Sequence, residues 1–254
     1  MNDENLKEEI KIFDAQDEQY DFPYHHIPKI DKEDIANRVK ILDWGFDYLA
    51  CKYYAIKTIE SYKPNSILEV GCGDGSIIGS LNPLIKRKVG VDLSERAISF
   101  AKAFHPEVDF ICDDVKNVEE RFDAILLIEV LEHIPNNKVD SFINEVFKKL
   151  NKGGVIYISV PSVNLPLYKK HYRHYSPDLL IAQIQDANLD LEIELCRYFR
   201  SPVRFENFYK RLTCNRLFVG EIHPLRKYIW KNIRGSLDSY NHKTAQHVIA
   251  IIRK

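Results

Sequence analysis

The 254-residue chain has no apolar run near the roughly 18 residues that would suggest a membrane span. Its first segment is acidic and lacks the basic stretch and apolar core of a secretory leader. The five cysteines (Cys51, Cys72, Cys112, Cys196, Cys214) are odd in number and scattered, with no C-x-x-C pair. They read as reduced, mostly buried small residues of a cytoplasmic protein with no transmembrane segment. A net charge of −1 removes any global attraction to nucleic acid or to a membrane surface. Repeats, low-complexity tracts and RNA-binding module motifs are also missing. What remains is the composition of an ordinary globular protein, 45% apolar and 29% charged.

The near-zero charge hides a polarity along the chain. Residues 1–21 hold eight acids against two lysines, whereas residues 197–234 hold ten Arg/Lys against two acids. After an acidic and then aromatic arm without sustained period, apolar residues from Ile35 to Ile56 recur near helical spacing. This predicts one long helix or two, with Gly45 as a plausible break and Pro64-Asn65 as the stop. Strand-like runs follow at 66–70, 88–92, 108–112, 122–128 and 154–160, separated by helical stretches, and apolar runs near 189–195 and 246–252 add two more. Strand–helix–strand spacing of this kind implies an α/β fold: a Rossmann-like, doubly wound, mostly parallel seven-stranded sheet with helices on both faces. The expected organisation is an N-terminal helical arm over 1–62, a core over 63–197, a basic, aromatic helical insertion over 198–244, and a last core strand over 245–254.

The first strand runs into Gly71, Gly73 and Gly75, a G-x-G-x-G loop where a doubly wound sheet binds its ligand. The Gly-Lys-Ser/Thr of a nucleoside triphosphate loop is absent, and Ser76 stands where a dinucleotide fingerprint needs its third glycine. Asp92, 21 positions beyond Gly71, is spaced to accept both hydrogens of a ribose diol. Asp113 and Asp114 end the third strand, where a carboxylate can accept from an adenine amino group. The set describes a nucleoside site without phosphate-binding basic residues.

These motifs resemble the class I S-adenosylmethionine-dependent methyltransferases. "LEVGCGDG" is similar to their first motif and "GVDLS" to their ribose motif. "FDAILLIEVLEHIP" resembles the strand and turn lining the reactive end, and "LNKGGVIYISVP" the turn and strand that follow. The resemblance covers roughly residues 60–200 and implies S-adenosyl-L-methionine as cofactor. By it, Glu69, Gly71 and Gly73 shape the methionine end, Asp92 holds the ribose, and Asp114, ahead of Asp113, takes the adenine. Cys72, Leu93, Val115, Ile128 and Glu129 complete the implied cofactor site.

Methyl transfer to a weakly acidic hydroxyl needs a base or a metal. On one helical turn Glu129, Glu132 and His133 would fall at i, i+3 and i+4 and share a face. Two carboxylates and an imidazole can hold Mg²⁺ or Mn²⁺. This E-x-x-E-H turn resembles that of small-RNA 3′-terminal 2′-O-methyltransferases and of ubiquinone-pathway O-methyltransferases. The resemblance adds His171, ahead of Tyr175-Ser176, as a fourth ligand. Without metal, His133 or His171 serves as base beside Glu132. His26, with His25 in the aromatic arm, is a further catalytic candidate capping the acceptor pocket.

The aromatic-basic alternation of the insertion suits a phosphate-bearing small molecule or glycan acceptor ahead of RNA. The leading expectation is methylation of an oxygen on a sugar, glycan intermediate or other small metabolite. The alternatives are a metal-dependent RNA 2′-O-methyltransferase and a non-catalytic nucleoside-binding subunit. Oligomeric state is left open.

Overall fold

The computed structural model describes residues 3–17, 29–30, 36–37, 42–187, 191–213 and 220–254. It begins with helix α1 (Asp3–Asp17) and a two-residue antiparallel pair, β1 (Lys29–Ile30) with β2 (Ala36–Asn37). Helix α2 (Leu42–Ser61) leads into β3 (Ser66–Val70), β4 (Arg87–Asp92), α3 (Glu95–Phe104), β5 (Asp109–Cys112) and β6 (Phe122–Ile128). Then come α4 (Val139–Lys148), β7 (Leu150–Pro161), α5 (Pro177–Asp186), β8 (Glu192–Phe199), α6 (Glu206–Thr213), α7 (His223–Gly235) and β9 (His247–Arg253).

The main sheet has seven strands in the order β5-β4-β3-β6-β7-β9-β8. The pairings from β5 to β7 are parallel, and β9 runs antiparallel to both neighbours. Alternation along β6 sorts the core: Ala124 and Leu126 face α2, α3 and α7, while Ile125 and Leu127 face α4 and α5. Both sheet faces are therefore covered, which is why β3 to β6 read as near-continuous apolar runs. No described helix is long and apolar enough to cross a membrane.

Three expectations change. Gly45 does not break α2, which runs through it. The burial of Phe46, Leu49 and Ala50 just beyond outweighs the roughly 1 kcal/mol that a helical glycine costs. The helix expected from Ile35 onward does not cover Ala36–Asn37, which pair as β2, and α2 begins at Leu42. Helix α1 lies in the expected helical arm, where its Glu, Lys, Leu, Ala and Gln residues favour helix and Ile12 docks while Ile10 and Phe13 stay exposed. The eighth strand covers 192–199 instead of 189–195, with 188–190 outside the described residues.

Candidate active site

A cleft of about 1310 Å³ opens at the carboxyl ends of β3, β4, β5 and β6. That exceeds the roughly 300–1,000 Å³ typical of a single small-ligand pocket. Every proposed cofactor residue from Glu69 to Glu129 lines it, as do Glu132, His133 and His171. His26 lies outside the described residues.

The loop after β3 needs its glycines for two different reasons. Gly71 sits at φ +70, and a Cβ there would come within 2.5 Å of Val130. Gly73 sits at φ +53, and its N–H donates to Asp92 Oδ2 at 2.9 Å. Asp92 Oδ1 accepts from the Ser94 N–H at 2.9 Å, so this carboxylate ties the loop to the start of α3. Burial raises its pKa against the pull of those N–H groups. Glu69 is buried beneath the loop, accepts from the Ile78 N–H at 3.0 Å, and is pushed by burial up to about 8.

At the end of β5 Asp114 caps the short turn Val115–Asn117 by accepting from the Lys116 N–H at 2.9 Å. Asp113 accepts from the Asp114 N–H at 2.7 Å and from Asn117 Nδ2 at 2.8 Å, which lowers its pKa. Leu93 stands exposed in the cleft wall. Helix α1 covers this end: Ile12 and Phe13 line the cleft, Asp17 bonds Ser94, and Glu9 pairs with Lys138 at 2.7 Å.

Lys52 was not legible beforehand. On α2 it is only 8% exposed, lines the cleft near Glu69 and Asp74, and burial lowers its pKa. The helical period marked its neighbours Leu49, Tyr53 and Ile56 as core, and Lys52 lies between them. His247, at the start of β9, was also missed, because nothing in "QHVIAII" marks it as more than a strand end.

At the reactive end the four-ligand set does not assemble. The helical turn is only a 3-10 turn, Leu131–His133, and Glu129 lies outside it at φ +54. Glu129 Oε1 accepts from Ser159 Oγ at 3.0 Å and pairs with His247 Nδ1 at 3.2 Å. Burial pushes Glu129 up, but His247 more than offsets it and holds the carboxyl below its usual range. Burial also opposes a charge on His247, yet Cys51 and Glu129 raise its pKa well above the usual value, so the pair is ionised.

Glu132, His133 and His171 do converge, each offering a ligand atom within 4.8 Å of the others. Glu132 is fully buried, neither carboxylate oxygen has a hydrogen-bond partner, and burial plus Glu129 raise its pKa well above normal. His133 Nδ1 bonds the Lys170 carbonyl at 2.9 Å, with Nε2 3.8 Å from Glu132 Oε1. Burial lowers His133 to about 4 and His171 to about 3. The two rings stand edge to face, 4.7 Å between centroids.

What brings His171 across is Arg173. Its Nη1 donates to the Leu131 carbonyl at 2.7 Å, Nη2 to the Ile134 carbonyl at 2.5 Å, and Nε to Asn136 Oδ1 at 2.7 Å. The Tyr172 N–H adds a bond to the Glu132 carbonyl at 2.8 Å. Sequence distance concealed this clamp.

The basic insertion spends much of its charge internally. Arg200 is buried against Glu206 and Asp47 at 2.7 and 2.8 Å, Arg226 pairs with Glu221, and Arg197 with Asp238 at 2.9 Å. Lys210 reaches the cleft wall 3.2 Å from Glu206.

A glycine loop, a carboxylate at the end of β4 and a β9 antiparallel to its neighbours define a Rossmann-like α/β fold. Residues 52–217 match the family described as a methyltransferase domain, and the chain belongs to that family. It is 29% identical over 140 residues to a ubiquinone biosynthesis O-methyltransferase from Pelagibacter ubique, covering 49% of this chain and 57% of that one. The chain spans about half the length of the first curated relatives it matches. Two solved structures share the fold. A SAM-dependent methyltransferase from Archaeoglobus fulgidus matches with TM-score 0.53 and 15% identity, over 80% of this chain and 94% of that one. Magnesium protoporphyrin IX methyltransferase from Synechocystis PCC 6803, solved with bound SAM, matches with TM-score 0.54 and 13% identity. That match covers 84% of this chain and 82% of the other.

Proposed function

We propose that the chain is an S-adenosylmethionine-dependent methyltransferase acting on a hydroxyl oxygen of a small metabolite or sugar. The observation that carries this is one cleft joining the glycine loop and Asp92 to a histidine-bearing end at His133 and His171. Asp92 and Leu93 take the ribose side, Asp113, Asp114 and Val115 the adenine. Glu69, Lys52 and the loop at Gly71, Cys72 and Gly73 take the amino-acid end, where the Lys52 ammonium suits the carboxylate. Ile128 and Glu129 line the approach to the methyl group.

The acceptor oxygen attacks the methyl carbon as the carbon–sulfur bond breaks, and its electron pair leaves with sulfur, turning the sulfonium into a thioether. As the new carbon–oxygen bond forms, the hydroxyl becomes a strong acid. An imidazole of low basicity such as His171 or His133 then suffices to take its proton. Alignment of the two reactants supplies most of the rate.

A divalent cation is the second reading, favoured by the two unpartnered oxygens of buried Glu132. Glu132, His133 and His171 would hold it, and two imidazoles suit Mn²⁺ better than Mg²⁺. When bound, such an ion would lower the acceptor's pKa. RNA is disfavoured as acceptor because Arg197, Arg200 and Arg226 are committed to acids of this chain.

Labelled-methyl transfer to phenols, sugars, sugar nucleotides and RNA, with chelator or with Mn²⁺, tests the whole reading. The expected result is small-molecule methylation that survives chelator and falls roughly 10²–10⁴-fold in His171→Ala. Loss of turnover in chelator, restored by Mn²⁺, would select the metal. Calorimetry showing no binding of S-adenosylmethionine would overturn the assignment.

A further inference from the structure

His174 lies outside the machinery described so far, yet its bonds decide which nitrogen of His171 carries a proton. His174 Nδ1 is 3.2 Å from the Leu165 carbonyl oxygen, and His174 Nε2 is 2.8 Å from His171 Nδ1. A carbonyl only accepts, so His174 Nδ1 carries its hydrogen. With His174 in its neutral form that is its one N–H, and its Nε2 is a bare lone pair. The partner across 2.8 Å must then donate, so the hydrogen of His171 sits on Nδ1 and its Nε2 is bare. His133 obeys the same logic, because its Nδ1 faces the Lys170 carbonyl at 2.9 Å.

We infer that His174 is a positioning residue that locks His171 in the tautomer with an unprotonated Nε2. The lock is built into the fold. His174 is buried, and the Tyr168 ring packs against both imidazoles at 5.3 and 5.7 Å between centroids. Arg173, between the two histidines in sequence, fixes the backbone on which both are carried. The inference rests on the reading of His171 as the group facing the acceptor, and it adds what makes that residue an obligate acceptor. In the transfer step the acceptor O–H bond breaks and an N–H bond forms at His171 Nε2. The positive charge lost at sulfur reappears on His171, where the Nδ1–H bond to His174 Nε2 stabilises it. With the opposite tautomer, Nε2 would present a hydrogen to the hydroxyl, and no base would face it.

Nitrogen-15 long-range correlation spectra of the full chain, loaded with S-adenosylhomocysteine, read the tautomer without any acceptor. Wild type is expected to show His171 with Nδ1–H and a bare Nε2. His174→Phe should move His171 to a mixture or to Nε2–H, while S-adenosylhomocysteine affinity stays within about twofold by calorimetry. His174→Gln keeps an acceptor for His171 Nδ1 and should restore the wild-type signature. Against a methyl acceptor, His174→Phe should lower kcat by about tenfold or more with KM unchanged, and His174→Gln should recover most of it. A wild-type His171 carrying Nε2–H, or one unmoved in His174→Phe, overturns the inference. Should His171→Ala leave methyl transfer intact while the signatures follow this pattern, the lock stands and the base reading falls.

Discussion

Asp92 does more than a spacing argument gives it. Its two oxygens hold the N–H groups of Gly73 and Ser94, so the residue offered to a ribose also shapes the loop beside it. Asp92→Ala removes both functions, and cofactor affinity should fall by about 1.5–3 kcal/mol through loss of charge-assisted bonds. Asp92→Asn keeps one acceptor for the backbone and separates the two. If the Asn variant binds S-adenosylmethionine as tightly as wild type in calorimetry, the carboxylate charge is irrelevant to the ribose. Lys52 makes a different case. Burial lowers its pKa despite the nearby Asp74 and Glu69, so its charge is only partly compensated until a ligand anion meets it. Lys52→Met should therefore leave the protein as stable as before, or more so, while weakening S-adenosylmethionine binding by about tenfold, the scale of one charged hydrogen bond. An unchanged dissociation constant would remove Lys52 from the site.

Among the elements, β3 to β7 were readable because both sheet faces are buried and each strand is a short apolar run between turn residues. The glycine loop and Asp92 were readable because backbone conformation and strand-end position leave a spacing in the sequence. What could not be read is whatever depends on distant segments meeting. His171 reaches Glu132 through the Arg173 clamp, with the Tyr172 N–H and the Lys170 carbonyl bonding the same turn, and Glu129 is held out of the turn by Ser159 and His247. The assumption of a regular helical turn over Glu129–His133 failed at one positive φ. Arg173→Lys keeps the charge but cannot reach three acceptors in one plane. It should reduce methyl transfer about tenfold or more while sparing cofactor affinity, since the clamp touches none of the nucleoside end. Equal losses in cofactor binding would show that the loop and turn are structurally coupled to the glycine loop. On the opposite face, Trp230 of α7 is buried against the core that includes Phe46 and Tyr157. Trp230→Ala should cost about 3–5 kcal/mol of stability by chemical denaturation, as other large-to-small core changes do.

Taken as a whole molecule, the buried ionisable groups around the cleft set how stability depends on pH. Glu69 is raised from 4.5 to about 8, so the folded chain holds a proton that the unfolded chain releases. Its contribution is fully present below about pH 4.5 and is lost as pH rises towards 8. His133 and His171, lowered from 6.5 to about 4 and 3, act in the opposite sense. Their contribution is present above pH 6.5 and disappears as pH falls through the window down to their folded values. The two trends oppose each other below pH 6.5, whereas above it His133 and His171 are neutral in both states, and Glu69, Glu132 and His247, all raised in the folded chain, act together to lower stability as pH rises. The cofactor-free protein should therefore lose stability between pH 6.5 and 8, with Glu69 contributing a slope of up to about 1.4 kcal/mol per pH unit. Thermal unfolding of wild type and Glu69→Gln across pH 5.5 to 8.5 isolates that slope, because every other group is common to both. The Gln variant keeps an oxygen for the Ile78 N–H and should show a flatter decline above pH 6.5. Parallel curves for the two proteins would mean that Glu69 is ionised in the folded state throughout, held so by Lys52 across the floor of the cleft.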